Sequence, residues 1–170
     1  TYMIAAAMTG GDVIVDNALP EHQKPLIAKL REAGAIVEED IDKVRVIGNG
    51  TLKGVSVKTL PYPGFPTDMQ AQIMAMMVVS EGNSKVTETV FENRFMHVEE
   101  LNRMGATITT ADRSANIEGP AKLVGCDVRA TDLRAGAAMI LAGLVAEGET
   151  RIGDLHHIDR GYEDIVEKLK

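Results

Sequence analysis

The sequence predicts an α/β fold made of three copies of one unit, a helix, a strand, a second helix and about three strands, set around a pseudo-threefold axis. Three observations carry that expectation. Phe65-Pro66-Thr67-Asp68-Met69-Gln70-Ala71-Gln72 and Ala130-Thr131-Asp132-Leu133-Arg134-Ala135-Gly136 both place a turn, a threonine and a carboxylate ahead of an apolar run. Both runs end in Glu-Gly before a strand-like segment, so that Gly82 and Gly148 lie 66 residues apart while Asp68 and Asp132 lie 64 apart. Further pairs keep the same register: Gly34 and Gly105 are 71 apart, Arg94 and Arg160 are 66 apart. One such unit is too small to bury a sheet face and two helices, so stacking on its copies is the physical reason to repeat. The units run approximately 1–60, 61–130 and 131–170, the first short at its front and the third without its closing strands, as for one domain truncated at both ends.

Taken in order, Tyr2 to Met8 is an alanine-rich helix stopped by Gly10-Gly11, and Val13-Ile14-Val15 is a strand. Leu19-Pro20 punctuates. Pro25 fits the first turn of a helix whose Leu26, Ile27, Leu30 and Ala33 recur at helical spacing up to Gly34. Ala35 to Val37, Val44 to Ile47 and Val55 to Thr59 alternate as strands do. In the second unit Thr67 and Gln70 have the spacing of a capping box, and Ile73, Met76 and Met77 with Met74 and Val78 make the helix apolar on most sides. Lys85 to Val90 reads as a strand; Phe95, Val98, Leu101 and Met104 form a helical stripe; Ala106 to Thr110, Ala115 to Ile117 and Cys126 to Ala130 are strand-like. The third unit opens on Thr131-Asp132, with Leu133, Ala137, Ile140, Leu141 and Leu144 as its stripe and Thr150 to Ile152 as its strand. A last helix is expected from Arg160-Gly161, burying Ile165, Val166 and Leu169. By this pattern the three apolar helices meet at the centre, sheets cover them, and the amphipathic helices lie outside.

Composition bounds the function. With 18 basic against 25 acidic residues the formal charge is -7, and no basic patch is visible, which disfavours nucleic acid and acidic membranes as partners. Tryptophan is absent, and three Tyr and three Phe make no stacking platform. No stretch approaches the roughly 20 apolar residues of a membrane span, and no signal peptide appears. Cys126 is the one cysteine, so no internal disulfide is expected and a cytoplasmic home fits. Lacking a positive neighbour, Cys126 reads as a packed strand residue. Thr1-Tyr2-Met3 running straight into an apolar segment suggests a chain that begins inside a longer product.

Candidate chemistry gathers at three places. A carboxylate in the first turn of a helix is stabilised by unpaired backbone N–H groups, which accounts for Asp132 as a cap. Asp68 follows the rigid Pro63-Gly64-Phe65-Pro66 and is better placed to hold a carboxylate toward a hydroxyl. Thr87 to His97 delivers Glu92, Asn93 and Arg94 toward a helix start, where an anion or sugar hydroxyls could bind. Arg160 occupies the matching position in unit three, and two guanidinium groups facing one pocket suit phosphate or carboxylate. His156 and His157, adjacent on a strand, would point apart, so with His97 they make no metal site. Gly48-Asn49-Gly50 lacks the spacing of a dinucleotide fingerprint, so no cofactor is expected.

The cluster from Phe65 to Gln72, the run Thr87 to His97, Thr131-Asp132-Leu133-Arg134 and His157-Ile158-Asp159-Arg160-Gly161-Tyr162 together closely resemble the C-terminal-side domain of the UDP-N-acetylglucosamine 1-carboxyvinyltransferase family of enolpyruvyl transferases. The resemblance spans essentially the whole chain. It implies one of two domains, each an inside-out α/β barrel of three repeats, with the active site in the cleft between them. It implies transfer of the enolpyruvyl group of phosphoenolpyruvate to the 3-hydroxyl of UDP-N-acetylglucosamine, through a tetrahedral intermediate and with release of phosphate, at the start of peptidoglycan synthesis. On it, Asp68 matches the carboxylate that meets that hydroxyl, Val90 a residue whose backbone holds the sugar nucleotide, and Phe91 and Asn93 the same wall. Arg160 matches an arginine on the phosphoenolpyruvate phosphate, and Arg94, Asp132 and Arg134 match charged residues around it. The family's catalytic lysine and asparagine, most uridine contacts and a loop cysteine modified by fosfomycin fall outside this chain; Cys126 does not match that cysteine. The chain alone is therefore expected to be inactive, with a missing second domain as its partner. A shikimate 3-phosphate transferase and a non-catalytic binding module on the same scaffold are the alternatives.

Overall fold

The computed structural model describes residues 1–170. The chain opens with α1 (Tyr2–Thr9), β1 (Asp12–Asp16), α2 (Pro20–Glu32), β2 (Ile36–Glu39), β3 (Lys43–Ile47) and β4 (Ser56–Lys58). Next come a 3-10 turn (Thr67–Met69), α3 (Gln70–Val79), β5 (Gly82–Thr87), α4 (His97–Arg103), β6 (Thr107–Ala111), β7 (Ser114–Gly119) and β8 (Asp127–Arg129). The last stretch holds α5 (Leu133–Val145), β9 (Arg151–Gly153), α6 (His156–Asp159) and α7 (Ile165–Lys168).

The expected apolar helices do meet. α1, α3 and α5 pack on one another, and α3 is buried at every position from Gln70 to Val78. Alanines 5, 6 and 7 of α1 and Ala135 to Ala138 of α5 are also buried, so the helix axes approach over small side chains while Met74, Met76, Met77 and Met139 fill the gaps. Each central helix is followed by a glycine in the left-handed region, Gly10, Gly82 and Gly148, a geometry that a side chain would strain.

Three separate sheets flank these helices, in orders β1-β3-β2, β4-β5-β7-β6 and β8-β9, and no sheet closes into a barrel. In the middle sheet β5 has β4 beside it in parallel, with Val57 opposite Val86, and β7 beside it antiparallel, with Val86 opposite Ala115. Each sheet buries one face only. Val37, Val44 and Val46 point inward, whereas on the other face exposed Arg45 binds Asp12 and Glu38.

The amphipathic helices bury one face each and leave the other exposed. α2 buries Leu26, Ile27 and Leu30 and packs on β2, α4 buries Val98 and Leu101 beside α5 and β6, and the outer sheet faces meet solvent. α2 also begins at Pro20, five residues before the position expected from Pro25. Pro20 opens the helix without wasting an N–H, and the carbonyl that Pro25 leaves unpaired belongs to exposed Glu21. In unit three the last helix is broken into α6 and α7, Arg160 caps α6, and Val166 is 66% exposed instead of buried. Leu144 of α5 is likewise 44% exposed. His156 and His157 lie on a helical turn with rings 4.0 Å apart, not on opposite sides of a strand.

Two glycines at strand ends meet similar obstacles. Gly48 follows β3, which packs on α1, and Gly119 ends β7, which packs on α3; the two are also 71 apart. A Cβ on Gly119 would lie 2.1 Å from the Ser80 carbonyl oxygen, and one on Gly48 2.6 Å from that of Ala6. Because both obstacles are backbone, Gly119→Ala is expected to destabilise the fold by about 2–3 kcal/mol through overpacking, read as a lower urea midpoint at unchanged slope.

Candidate functional site

The site is organised by a carboxylate that the sequence reading passed over. Glu88, at the end of β5, is 1% exposed. Its Oε1 accepts from the Thr59 hydroxyl at 2.8 Å and from the backbone N–H of Val90 at 3.0 Å and Phe91 at 3.2 Å. Oε2 accepts from the Thr67 hydroxyl at 3.0 Å, with the Gln70 amide a longer 3.4 Å away. Burying a carboxylate is tolerable only when its lone pairs are met by donors, and here five converge on it. Strand alternation carried the signal: Glu88 shares the inward face of Ser84 and Val86, where an acid needs a reason.

These bonds overturn the capping box expected at Thr67 and Gln70. Neither side chain caps the helix; both reach Glu88, and Asp68 sits in the 3-10 turn ahead of α3. Asp68 Oδ1 lies 2.9 Å from the Arg134 guanidinium and 3.9 Å from that of Arg94. Its Oδ2 accepts no hydrogen bond from the protein, and 59% of the side chain is open to solvent. Arg94 stacks 4.4 Å above the Phe91 ring, a cation–π contact that stiffens the guanidinium. Asp132 is the N-cap of α5 and accepts from the N–H of Arg134 at 2.8 Å and of Ala135 at 2.9 Å. With that helix end already filled, recognition of an anion falls to the arginine side chains.

Thr67, Gln70, Arg94, His97, Asp132 and Arg134 thus line one small pocket drawn from units two and three. Beside it runs an open groove of about 320 Å³ bordered by Phe91, Asn93, Phe95, Met96, Thr110 and Arg113. The stretch before α4 is irregular and not a helix start: Asn93 is left-handed with φ 54°, and Glu92 pairs with Arg113 at 3.1 Å. Val90 is partly exposed, and its carbonyl accepts no hydrogen bond from the protein. Arg160 is exposed and makes no ion pair with any of these groups. Its neighbour Gly161 packs so closely on Leu133 that a Cβ would meet Cδ2 at 2.7 Å. No group of three or more His, Cys, Asp or Glu side chains is placed to hold a metal ion.

His97 forms the floor of the small pocket, with Nε2 3.2 Å from the Met74 sulfur. Burial pushes its imidazole down to about 4 from an ordinary 6.5, and the Asp132 carboxylate pulls weakly the other way. The folded protein therefore takes up this proton less readily than the unfolded chain. The contribution is fully present above about pH 6.5, declines as the pH falls toward 4, and is absent below it. The gap is worth about 3 kcal/mol. We expect the His97 ring resonances to stay those of neutral imidazole at pH 5, and urea midpoints to fall from pH 6.5 to 4 less steeply in His97→Gln than in the parent.

No helix is long and apolar enough to cross a membrane. The family model for EPSP synthase (3-phosphoshikimate 1-carboxyvinyltransferase) matches residues 1–169. The chain is 60% identical over 172 residues to the UDP-N-acetylglucosamine 1-carboxyvinyltransferase of Finegoldia magna, covering 100% of this chain and 41% of that protein. It is 62% identical over 169 residues to the enzyme of the same name from Halothermothrix orenii, covering 99% and 40%. Among solved structures, the enolpyruvyl transferase NikO from Streptomyces tendae superposes with a TM-score of 0.87 at 28% identity, over 99% of this chain and 40% of that one. EPSP synthase from Acinetobacter baumannii, at 20% identity and a TM-score of 0.70, shares the fold. The chain thus spans about two fifths of the length of the curated relatives it matches.

Proposed function

The chain belongs to the EPSP synthase (3-phosphoshikimate 1-carboxyvinyltransferase) family, and on that premise we propose that it forms one wall of a two-domain enolpyruvyl transferase acting on phosphoenolpyruvate and UDP-N-acetylglucosamine. The observation that carries this reading is the clasp of Asp68 by Arg134 and Arg94 with Oδ2 left free. The free oxygen takes the proton of the acceptor 3-hydroxyl as that oxygen bonds to C2 of phosphoenolpyruvate, and C3 gains a proton from an acid outside this chain. Arg94, Arg134 and Arg160 neutralise the phosphate and carboxylate of the intermediate, from which phosphate departs as C3 gives up a proton and the C2–C3 double bond re-forms. The unpartnered Val90 carbonyl, with Phe91 and Asn93, forms the wall against which the sugar nucleotide rests. Asp132 orients Arg134 by capping α5.

The inside-out arrangement of three units, approximately 1–60, 61–130 and 131–170, belongs to the same proposal. It is supported by the central packing of α1, α3 and α5 and by sheets that bury one face only. It is supported too by unpaired edges on β1 and β9, where β5 has neighbours on both sides. The sugar nucleotide is preferred over shikimate 3-phosphate because the relatives at 57–62% identity carry the former name, whereas the likeness to EPSP synthase structures stands at 20%. Exchanging these 170 residues for the matching segment of the Finegoldia magna enzyme tests the reading. Phosphate release requiring both phosphoenolpyruvate and UDP-N-acetylglucosamine is expected from the chimera, and none from the 170 residues alone. Turnover with shikimate 3-phosphate instead, or full turnover by the isolated chain, would overturn it.

A further inference from the structure

The geometry points to Glu88 as a positioning residue that sets the distance between the Asp68 carboxylate and the wall formed by Val90 and Phe91. This rests on the function proposed above and adds to it a group that does not touch substrate. One carboxylate holds both sides of the site. Through Oε2 and the Thr67 hydroxyl it pins the 3-10 turn whose next residue is Asp68. Through Oε1 it pins the two consecutive N–H groups of Val90 and Phe91, which fixes where the free Val90 carbonyl and the Phe91 ring under Arg94 lie. The Thr59 hydroxyl braces the same oxygen and also accepts from the Thr89 N–H at 3.0 Å, so the strut is anchored in β4 and β5 at once. The Asp68 turn is further held by its ion pairs, by the Met69 N–H to Pro66 and Gln70 N–H to Thr67 backbone bonds and by the Gln70 amide, and Asp68 itself is largely exposed.

The Val90 and Phe91 N–H groups can only donate, so Oε1 must remain an acceptor, and a glutamine amide in place of Oε2 would require the Thr67 hydroxyl to turn from donor to acceptor. A displacement of about 1 Å between base and hydroxyl is enough to cost a hundredfold in rate, so a rigid link between the two is a functional asset. The predicted signature is loss of turnover without loss of binding.

The test uses the full-length transferase carrying these residues. Thr67→Val keeps the shape and deletes the shorter of the two side-chain hydrogen bonds that tie the Asp68 turn and its C-cap Gln70 to Glu88. Its kcat is expected to fall about tenfold, the value of one hydrogen bond to a charged group. The calorimetric affinity for the sugar nucleotide should stay within about threefold, and Thr67→Ser should recover most of the rate. Coupling separates positioning from mere scaffolding: in an Asp68→Asn background, Thr67→Val should cost less than about twofold, because the group it positions is gone. Glu88→Gln should lower kcat and be non-additive with Thr67→Val. A Thr67→Val enzyme with parental kcat, or one whose loss persists undiminished beside Asp68→Asn, would overturn the inference while leaving the proposed function standing. A parent enzyme that fails to bind or turn over the sugar nucleotide would instead remove the reading beneath it.

Discussion

Replacing Asp68 by Asn in the full-length enzyme lowers kcat by about 10²–10⁴-fold, the range for loss of a positioned general base. The substitution is nearly isosteric and keeps an oxygen for Arg134, so the loss isolates the proton-accepting role of Oδ2. Stability should barely move. The side chain is 59% exposed and its ion pairs are of the solvent-screened kind worth at most about 1 kcal/mol. The decisive comparison is between steady-state phosphate release and calorimetric binding of the sugar nucleotide. Binding within threefold of the parent, with turnover reduced a hundredfold or more, is expected; a kcat within threefold of the parent would remove Asp68 from the chemistry.

Ile73→Ala should give the largest loss of stability, about 3–4 kcal/mol, because a buried isoleucine loses both its transfer free energy and the contacts around the cavity left behind. Ile73 is 0% exposed on the helix that the other two central helices enclose, among Met74, Met76 and Met77 that are equally inaccessible. Against a total stability of roughly 5–15 kcal/mol that is a large share. Leu144→Ala on α5, a position of the same apparent stripe, should change the urea midpoint little, since Leu144 is 44% exposed. Equal losses at the two positions would mean that α3 is not the centre of the fold.

The contrast between those two residues shows where reading letters stops. Periodicity located α1, α3 and α5 and the strands after them, because apolar spacing and Gly punctuation are local signals. It gave α3 as apolar on most sides, but it could not say that α5 keeps an open side at Leu144, since that depends on which helices lie beside it. The same limit produced the errors. Thr67 and Gln70 have the spacing of a cap, yet a buried acid some twenty residues away competes for them and wins, because an unpaired buried carboxylate is more costly than an uncapped helix end. Arg94 and Arg160 are equivalent by spacing, yet it is Arg134 that joins Arg94 at Asp68.

Sequence alone determined the apolar helices at the centre, the family resemblance and, through that resemblance, a candidate set of Asp68, Val90, Phe91, Asn93, Arg94, Asp132, Arg134 and Arg160. Only the tertiary structure decided that the sheets face solvent on one side, that Glu88 joins the Asp68 turn to the Val90 wall, and which arginines reach Asp68. Those outcomes turn on pairings between residues far apart in the chain, and no local spacing encodes which donors a buried carboxylate will gather.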